Sequence, residues 1–242
     1  MHTKYSGLRY LAACTLSMIL TAGATRAQKS SPAPNTVTRT QDSIRIPGLP
    51  VPFTWVDAPK TFSIPGDRSI TVTATKGTDQ YCFVDGTYYT HNAPKLLMKP
   101  GKDFIFSCKI RTGFANLYEG GGLLIYRDTL NWVKLLFEKN DDHTIMVTSN
   151  VVTNKVTDDS YHIPVANTEV YLKLAKAGPL FCLYYSLNGK KWEIIRNFTL
   201  PQGGGDLQIG LCTQSPEGPS CTVEFSSIMY QPVAFKNFLT GE

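Results

Sequence analysis

The stretch Lys109–Glu138, KIRTGFANLYEGGGLLIYRDTLNWVKLLFE, holds two runs of alternating residues joined by the polar turn Arg127-Asp128-Thr129-Leu130-Asn131. In the second run Val133, Leu135 and Phe137 fall on one side, with Trp132, Lys134, Leu136 and Glu138 on the other. Period-2 alternation is the pattern of a strand whose two faces meet different surroundings. One face is core. The other carries an indole, an ammonium and a carboxylate, as expected of a sheet that meets a polar partner. The bland alternative is a solvated Lys–Glu pair worth under about 1 kcal/mol, with Trp132 filling a core or an edge.

Outward from this hairpin the chain reads as all-β. Strands are predicted over 61–64, 69–75, 80–84, 95–98, 103–111, 121–127, 131–139, 144–148, 151–156, 169–175, 180–187, 192–198, 207–212 and 221–228. Turn chemistry separates them at Pro65-Gly66-Asp67, Lys99-Pro100-Gly101, Asn140-Asp141-Asp142, Ala177-Gly178-Pro179 and Leu187-Asn188-Gly189. Asn-Gly is the strongest of these signals, because both residues tolerate positive φ. No stretch after residue 27 sustains a 3.6-residue period, and many short strands with regular turns predict a two-sheet sandwich. Glycines 120–122 precede a strand rather than a helix, with no Lys-Ser/Thr following, so they read as close backbone approach or a bulge and not as a phosphate loop.

The first 27 residues have the layout of a secretory signal peptide. Lys4 and Arg9 precede an apolar run from Leu11 to Ala24, and Thr25-Arg26-Ala27 offers a cleavage site. The apolar run falls short of the ~20 residues a membrane helix needs, so no transmembrane segment is expected and the location is secreted or periplasmic. Leu11-Ala12-Ala13-Cys14 resembles a lipobox, but Cys14 stands at the start of the apolar run, where a lipobox cysteine follows it. Residues 28–52 read as a linker containing Pro and Ser, 53–230 as one domain, and 231–242 as a C-terminal tail. The whole chain is +5, but the leader holds three basic residues and no acid, which leaves +2 after its removal. No basic cluster with interleaved aromatics occurs, so nucleic acid is not an expected partner.

Five cysteines follow the leader, an odd number. Cys212 and Cys221 flank the turn-rich Thr213–Ser220 and could face each other across a hairpin, where export would permit a disulfide. Cys82, Cys108 and Cys182 fall in predicted strands and read as small buried hydrophobes. No C-x-x-C pair or histidine cluster indicates zinc. His91, His143 and His162 read as surface loop residues, which leaves a cysteine nucleophile without a partner. Asp141-Asp142 and Asp158-Asp159 could supply calcium oxygens, against the commoner reading as Asx turns. No other cofactor is expected.

Several stretches together resemble domain-of-unknown-function family 1349, the regulation-of-enolase family. Thr78-Asp79-Gln80-Tyr81 is similar to its T-D-aromatic-W element, and Tyr118-Glu119-Gly120-Gly121-Gly122-Leu123 to its Y-D-Q-A-G-L strand. Trp132-Val133-Lys134-Leu135-Leu136-Phe137-Glu138 matches its W-x-K-x-x-x-E strand. Tyr185-Ser186-Leu187-Asn188-Gly189-Lys190-Lys191-Trp192 resembles its Y-S-x-D-G-x-x-W hairpin, and Gly210-Leu211 with Ser215-Pro216 its closing strand and loop. The sequence departs from the family pattern at Glu119, Gly120, Gln80 and Tyr126, and Thr157-Asp158-Asp159-Ser160 lacks a tryptophan. The resemblance implies a concanavalin A-like jelly-roll sandwich of two antiparallel sheets. It adds Tyr118, Glu119, Asp79 and Tyr81 to a ligand face of Trp132, Lys134, Glu138 and Tyr126.

Sugars present polar rims and apolar C–H faces, so their sites combine aromatic platforms with charged or amide hydrogen bonders. The expected function is therefore a secreted β-sandwich that binds carbohydrate or a glycoconjugate without catalysis. One alternative is a glycoside-acting enzyme using Glu138 with Glu119 or Asp79. Retaining hydrolysis needs two carboxylates roughly 5–5.5 Å apart, and Glu138 has no acidic neighbour two residues away on its own strand. Another alternative is a protein-interaction module. No catalytic residue and no metal ligand is assigned.

Overall fold

The computed structural model describes residues 43–201 and 205–242, without the side chain of His162. The leader, Cys14 and the linker through residue 42 lie outside the described residues. The described chain forms strands and turns, with no helix. The strands are β1 (Thr54–Val56), β2 (Thr61–Ser63), β3 (Ile70–Thr75), β4 (Gln80–Cys82), β5 (Tyr89–His91), β6 (Lys95–Met98), β7 (Phe104–Thr112) and β8 (Gly120–Asp128). They continue with β9 (Asn131–Lys139), β10 (Ile145–Thr153), β11 (Val156–Pro164), β12 (Glu169–Ala177), β13 (Leu180–Ser186), β14 (Glu193–Thr199), β15 (Gln208–Gln214) and β16 (Ser220–Gln231).

Two seven-stranded antiparallel sheets form a jelly-roll sandwich. The first runs β1-β6-β15-β8-β9-β10-β11 and the second β14-β13-β12-β7-β16-β3-β2, while β4 and β5 make a separate hairpin. Alternation along β9 sorts its residues as the sequence predicts. Val133, Leu135 and Phe137 enter the core between the sheets, where Phe114 meets Phe137 edge-on at 4.8 Å. Gly120 and Gly122 let β8 press against β9, since a Cβ on either would come within 2.2 Å of a β9 carbonyl oxygen. The main core reaches ahead of Phe53: Ile44 bridges to Phe53, and Ile46 is buried.

Four strands differ from the sequence reading: β1, β5, β10 and β11. Residues 144–156 were expected as two strands but form the single long β10 and the start of β11. The turn between these is Asn154-Lys155, both at positive φ (50° and 65°). This is a two-residue hairpin of the mirror-image type without its usual glycine. At Asn188-Gly189, in contrast, only Gly189 has positive φ. The short strands β1 and β5 have too few alternating residues to register, and β5 puts His91 in a strand rather than a loop. His162 likewise lies in β11.

The outer face of the first sheet is covered as well. Trp132, Tyr126, Leu97, Leu124, Val152 and Cys212 form a second apolar cluster, joined by Cys82 and Ala93 of the hairpin segment. A third cluster on the outer face of the second sheet contains Ile105, Ala175, Cys182 and Tyr184, and Trp192 and Phe235 pack on it. There Lys173 Nζ lies 3.9 Å from the centre of the Trp192 ring and donates to the Thr240 carbonyl at 2.8 Å. Residues 232–242 thereby pack over that sheet, with the Tyr184 hydroxyl donating to the Phe238 carbonyl at 2.8 Å. No described helix is long and apolar enough to cross a membrane.

Cys212 and Cys221 are not a disulfide. Both are free and buried. The segment between them does not close a hairpin within one sheet. It carries the chain from β15 of the first sheet to β16 of the second, so Cys212 falls in the outer cluster and Cys221 in the inter-sheet core.

Because Trp132 is only 1% exposed, Trp132→Ala is expected to cost about 3–5 kcal/mol of stability, read by denaturant unfolding. Val156→Ala at an exposed position should stay within about 0.5 kcal/mol. Near-equal midpoints for the two variants would contradict the second cluster.

Candidate functional site

The β4–β5 hairpin lies over the outer face of the first sheet and walls off a cavity there. Several tethers hold it. Thr78 bridges to Ser215, the Cys82 thiol donates to the Lys155 carbonyl at 3.4 Å, and the Tyr89 hydroxyl donates to the Thr129 carbonyl. Lys95 is fully buried beneath the hairpin's return. Its ammonium donates to Asp57 Oδ2 at 2.7 Å and to the carbonyls of His91 and Ala93 at 2.8 and 2.7 Å. All three ammonium donors are satisfied, as burial of that charge requires.

The cavity has a volume of about 540 Å3. Its floor comes from side chains that register places side by side. Lys134 of β9 pairs with Asn150 of β10, and Asn150 with Asp159 of β11. Gly120 stands between Gln214 of β15 and Glu138 of β9, adding no side chain of its own. Lys134 Nζ donates to Gln214 Oε1 at 2.9 Å, and Gln214 Nε2 donates to the Tyr118 carbonyl at 2.9 Å. The Thr148 hydroxyl donates to Glu138 Oε1 at 2.7 Å, and Asn150 Nδ2 to Asp159 Oδ1 at 2.6 Å.

The hairpin supplies the wall. The Tyr81 hydroxyl donates to Asp159 Oδ2 at 2.7 Å, which ties the wall to the floor, and Lys134 Nζ lies 5.6 Å from the Tyr81 ring centre. The Tyr88 hydroxyl donates to Asp79 Oδ2 at 3.1 Å. The other oxygen, Asp79 Oδ1, is buried with no hydrogen-bond partner. Tyr118 enters the rim with φ at 58°, fixed by its amide donating to the Lys139 carbonyl at 2.7 Å. Such backbone outliers cluster at functional sites.

Five of the residues expected on the ligand face line this cavity: Lys134, Glu138, Asp79, Tyr81 and Tyr118. Three do not. Trp132 and Tyr126 lie on the expected face, but the hairpin covers that end of it, and they fill the second cluster. Glu119 is 1% exposed and turned beneath the neighbouring loops, where it accepts from the Asn116 amide at 3.0 Å and from Asn116 Nδ2 at 2.6 Å. The Lys134–Glu138 pair is not the solvated surface pair of the bland reading, because Lys134 is 1% and Glu138 9% exposed.

Sequence reasoning missed Gln214, Asn150 and Asp159 on the floor and Phe83, Tyr88 and Tyr161 around the mouth. Gln214 continues the alternation Gly210, Cys212, Gln214, which was a usable signal. The acids considered for calcium make other hydrogen bonds: Asp141 accepts from the Asp142 amide, Asp142 from the Thr144 amide, Asp158 takes Arg196 at 2.6 Å, and Asp159 takes Tyr81 and Asn150. Among the described residues no group of three or more His, Cys, Asp or Glu side chains could hold a metal ion.

Burial pushes Glu138 up to about 7, and Asp79 and Asp159 add to that rise, while Lys134 and the Thr148 hydroxyl oppose it. Burial likewise raises Asp79, against Lys134. A carboxyl with a raised pKa binds its proton more tightly in the folded chain than in the unfolded one. Its contribution to stability is therefore present below about pH 4.5 and lost as pH rises through about 7. Relative to Glu138→Gln, the wild type should lose about 3 kcal/mol across that window, measured by denaturant titration at each pH. Parallel curves for the two proteins would show that Glu138 titrates normally.

A family model described as "Protein of unknown function (DUF1349)" matches residues 55–233. "Regulation of enolase protein 1" of Saccharomyces cerevisiae (strain ATCC 204508 / S288c) is 25% identical over 177 residues, 72% of this chain and 86% of the yeast protein. Among solved structures, one described as a functionally unknown protein from Saccharomyces cerevisiae superposes with a TM-score of 0.66 at 21% identity, covering 74% of this chain and 95% of that one. The GH43 BlXynB protein from Bacillus licheniformis superposes at 0.57 with 13% identity, over 72% of this chain and 35% of that longer one. These superpositions show a shared sandwich fold. The match of the family model over most of the described domain means that the chain belongs to the DUF1349 family.

Proposed function

We propose that the protein binds carbohydrate, free or as part of a glycoconjugate, in the cavity between the β4–β5 hairpin and the first sheet, without turning it over. The observation that carries this reading is the cavity itself, about 540 Å3, where the charged and amide groups of Lys134, Glu138, Asn150, Asp159 and Gln214 lie below an aromatic mouth. Such groups hydrogen-bond the polar rim of a sugar. Phe83, Tyr88 and Tyr161 are 41%, 42% and 60% exposed and offer faces for sugar C–H groups. One GH43 protein that shares the fold is described as a glycoside hydrolase, and this chain covers 41% of it. The proposal includes export by residues 1–27, with action outside the cytoplasm.

A second reading has one observation in its favour. Glu138 at about 7 is poised as a general acid, and Asp79 lines the same cavity. Glu119 is no partner for it, being engaged beneath the loops. If Glu138→Gln keeps glycan binding but abolishes turnover of a glycan, the protein is an enzyme.

On a glycan array, followed by calorimetry on the hits, Phe83→Ala and Tyr161→Ala should each weaken binding by about tenfold with the melting temperature nearly unchanged. Absence of any glycan binding at millimolar concentration would sink the carbohydrate reading and leave a protein-interaction module. For export, N-terminal sequencing of the released protein should find Thr25 or Gln28 first, and retained Met1 on that protein would overturn the leader.

A further inference from the structure

We propose that the cavity is a blind recess that admits a glycan by one chain end, while the rest of the chain leaves across β11 past Tyr161. The ligand is then a glycan terminus and not the interior of a chain. This rests on the carbohydrate-binding reading and specifies its ligand class.

The first argument is the continuity of the wall. Where the hairpin segment begins, the Ser215 amide donates to the Thr78 carbonyl at 3.1 Å and the Gly77 amide to the Ser215 carbonyl at 2.9 Å. These bonds join the hairpin to the connection between β15 and β16, whose Pro216 and Glu217 line the cavity. That connection is pressed in turn on the segment ahead of β8, since a Cβ on Gly218 would collide with the Asn116 and Glu119 side chains. Gln214 Nε2 donates to the Tyr118 carbonyl at 2.9 Å, which closes the corner between them. The Tyr118 amide then donates to the Lys139 carbonyl at 2.7 Å and carries the wall to Asn140 and Asp141, which also line the cavity. Hairpin, connection, loop and turn thus bound the recess on three sides, each tied or packed to the next.

The second argument is the fourth side. β11 is the edge strand of the first sheet, so the floor ends there. Exposure rises toward that edge: Gln214 and Asn150 are buried, Asp159 is half-buried and Tyr161 is largely exposed. Polarity follows the same gradient. Amides and carboxylates lie at depth, and the exposed rings of Phe83, Tyr88 and Tyr161 stand at the mouth. A terminal sugar keeps a hydroxyl, or an anomeric position, that an internal one has given to a glycosidic bond, so it suits an enclosure of hydrogen bonders. The next sugar, already outside, needs only a ring face for its C–H groups, and Tyr161 offers one. An internal sugar carries chain in two directions and would drive one of them into the wall.

The test is calorimetric titration of the full chain with linear tetrasaccharides of glucose, mannose, galactose, xylose and arabinose. Each is used in three forms: unmodified, with a bulky group on the reducing end, and with the same group on the non-reducing sugar. For a tetrasaccharide that binds, a group on one end should lower affinity at least about tenfold, and a group on the other end should be tolerated. The parent linear polysaccharide, compared at equal mass, should saturate with less protein, in proportion to its fewer chain ends. Affinity should rise from monosaccharide to tetrasaccharide, and Tyr161→Ala should cancel most of that rise. Tolerance of both modified ends, or a capacity that follows mass and not chain ends, would mean that chain interiors bind; the inference then falls while carbohydrate binding stands. Rejection of both modified forms would mean that the whole tetrasaccharide is enclosed, which also overturns it. Equal losses for monosaccharide and tetrasaccharide in Tyr161→Ala would overturn the exit across β11. Failure of every tetrasaccharide overturns the inference, and failure of the whole glycan array as well takes the binding reading with it.

Discussion

A buried ammonium must be solvated by protein, and Lys95 sets the arrangement around this cavity. Its three donors reach Asp57 beyond β1, and the carbonyls of His91 and Ala93 on the chain returning from β5. Those contacts fix where the hairpin re-enters the sheet, and hence where β4 and β5 stand over the outer face. Removing one partner of such a group would leave an uncompensated charge, which costs far more than a surface ion pair contributes. The rest of the site follows from that placement: Tyr81 reaches Asp159, Asp79 faces the cavity, and Trp132 is sealed beneath.

Much of this was legible in β9 alone. The alternation of Val133, Leu135 and Phe137 against Trp132, Lys134 and Glu138 identified the core side and the polar side. Alternation reports which residues share a face and is silent on what covers that face. The hairpin buries the Trp132 end and leaves the Lys134–Glu138 end lining a cavity, and nothing local to β9 encodes the difference. The same reason explains the misplaced boundary in β10. Ser149 and Asn150 look like turn residues, yet Ser149 meets Arg196 from the opposite sheet and Asn150 holds Asp159. Polar strands read as loops when their partners are distant in sequence.

The floor draws on β9, β10, β11 and β15, and the wall on a hairpin some 50 residues upstream of Lys134. Only the register of the first sheet brings them together. The order β15-β8-β9-β10-β11 includes one pairing between strands far apart in the chain, β15 with β8, and that pairing places Gln214 beside Lys134. The glycines of β8 matter here for their lack of bulk, since a side chain at Gly120 would collide with the β9 backbone.

The distribution of thiols makes the molecule its own reporter of motion. Cys108 and Cys221 lie in the inter-sheet core, Cys82 of the hairpin and Cys212 of the first sheet in the cluster between those two layers, and Cys182 on the outer face of the second sheet. All five are free and buried, so a thiol reagent reaches each one when its own layer opens. Labelling rates resolved by residue would thus separate lifting of the hairpin from parting of the sheets and from release of residues 232–242. Oxidation would follow the same order, trapping whichever layer opens most often.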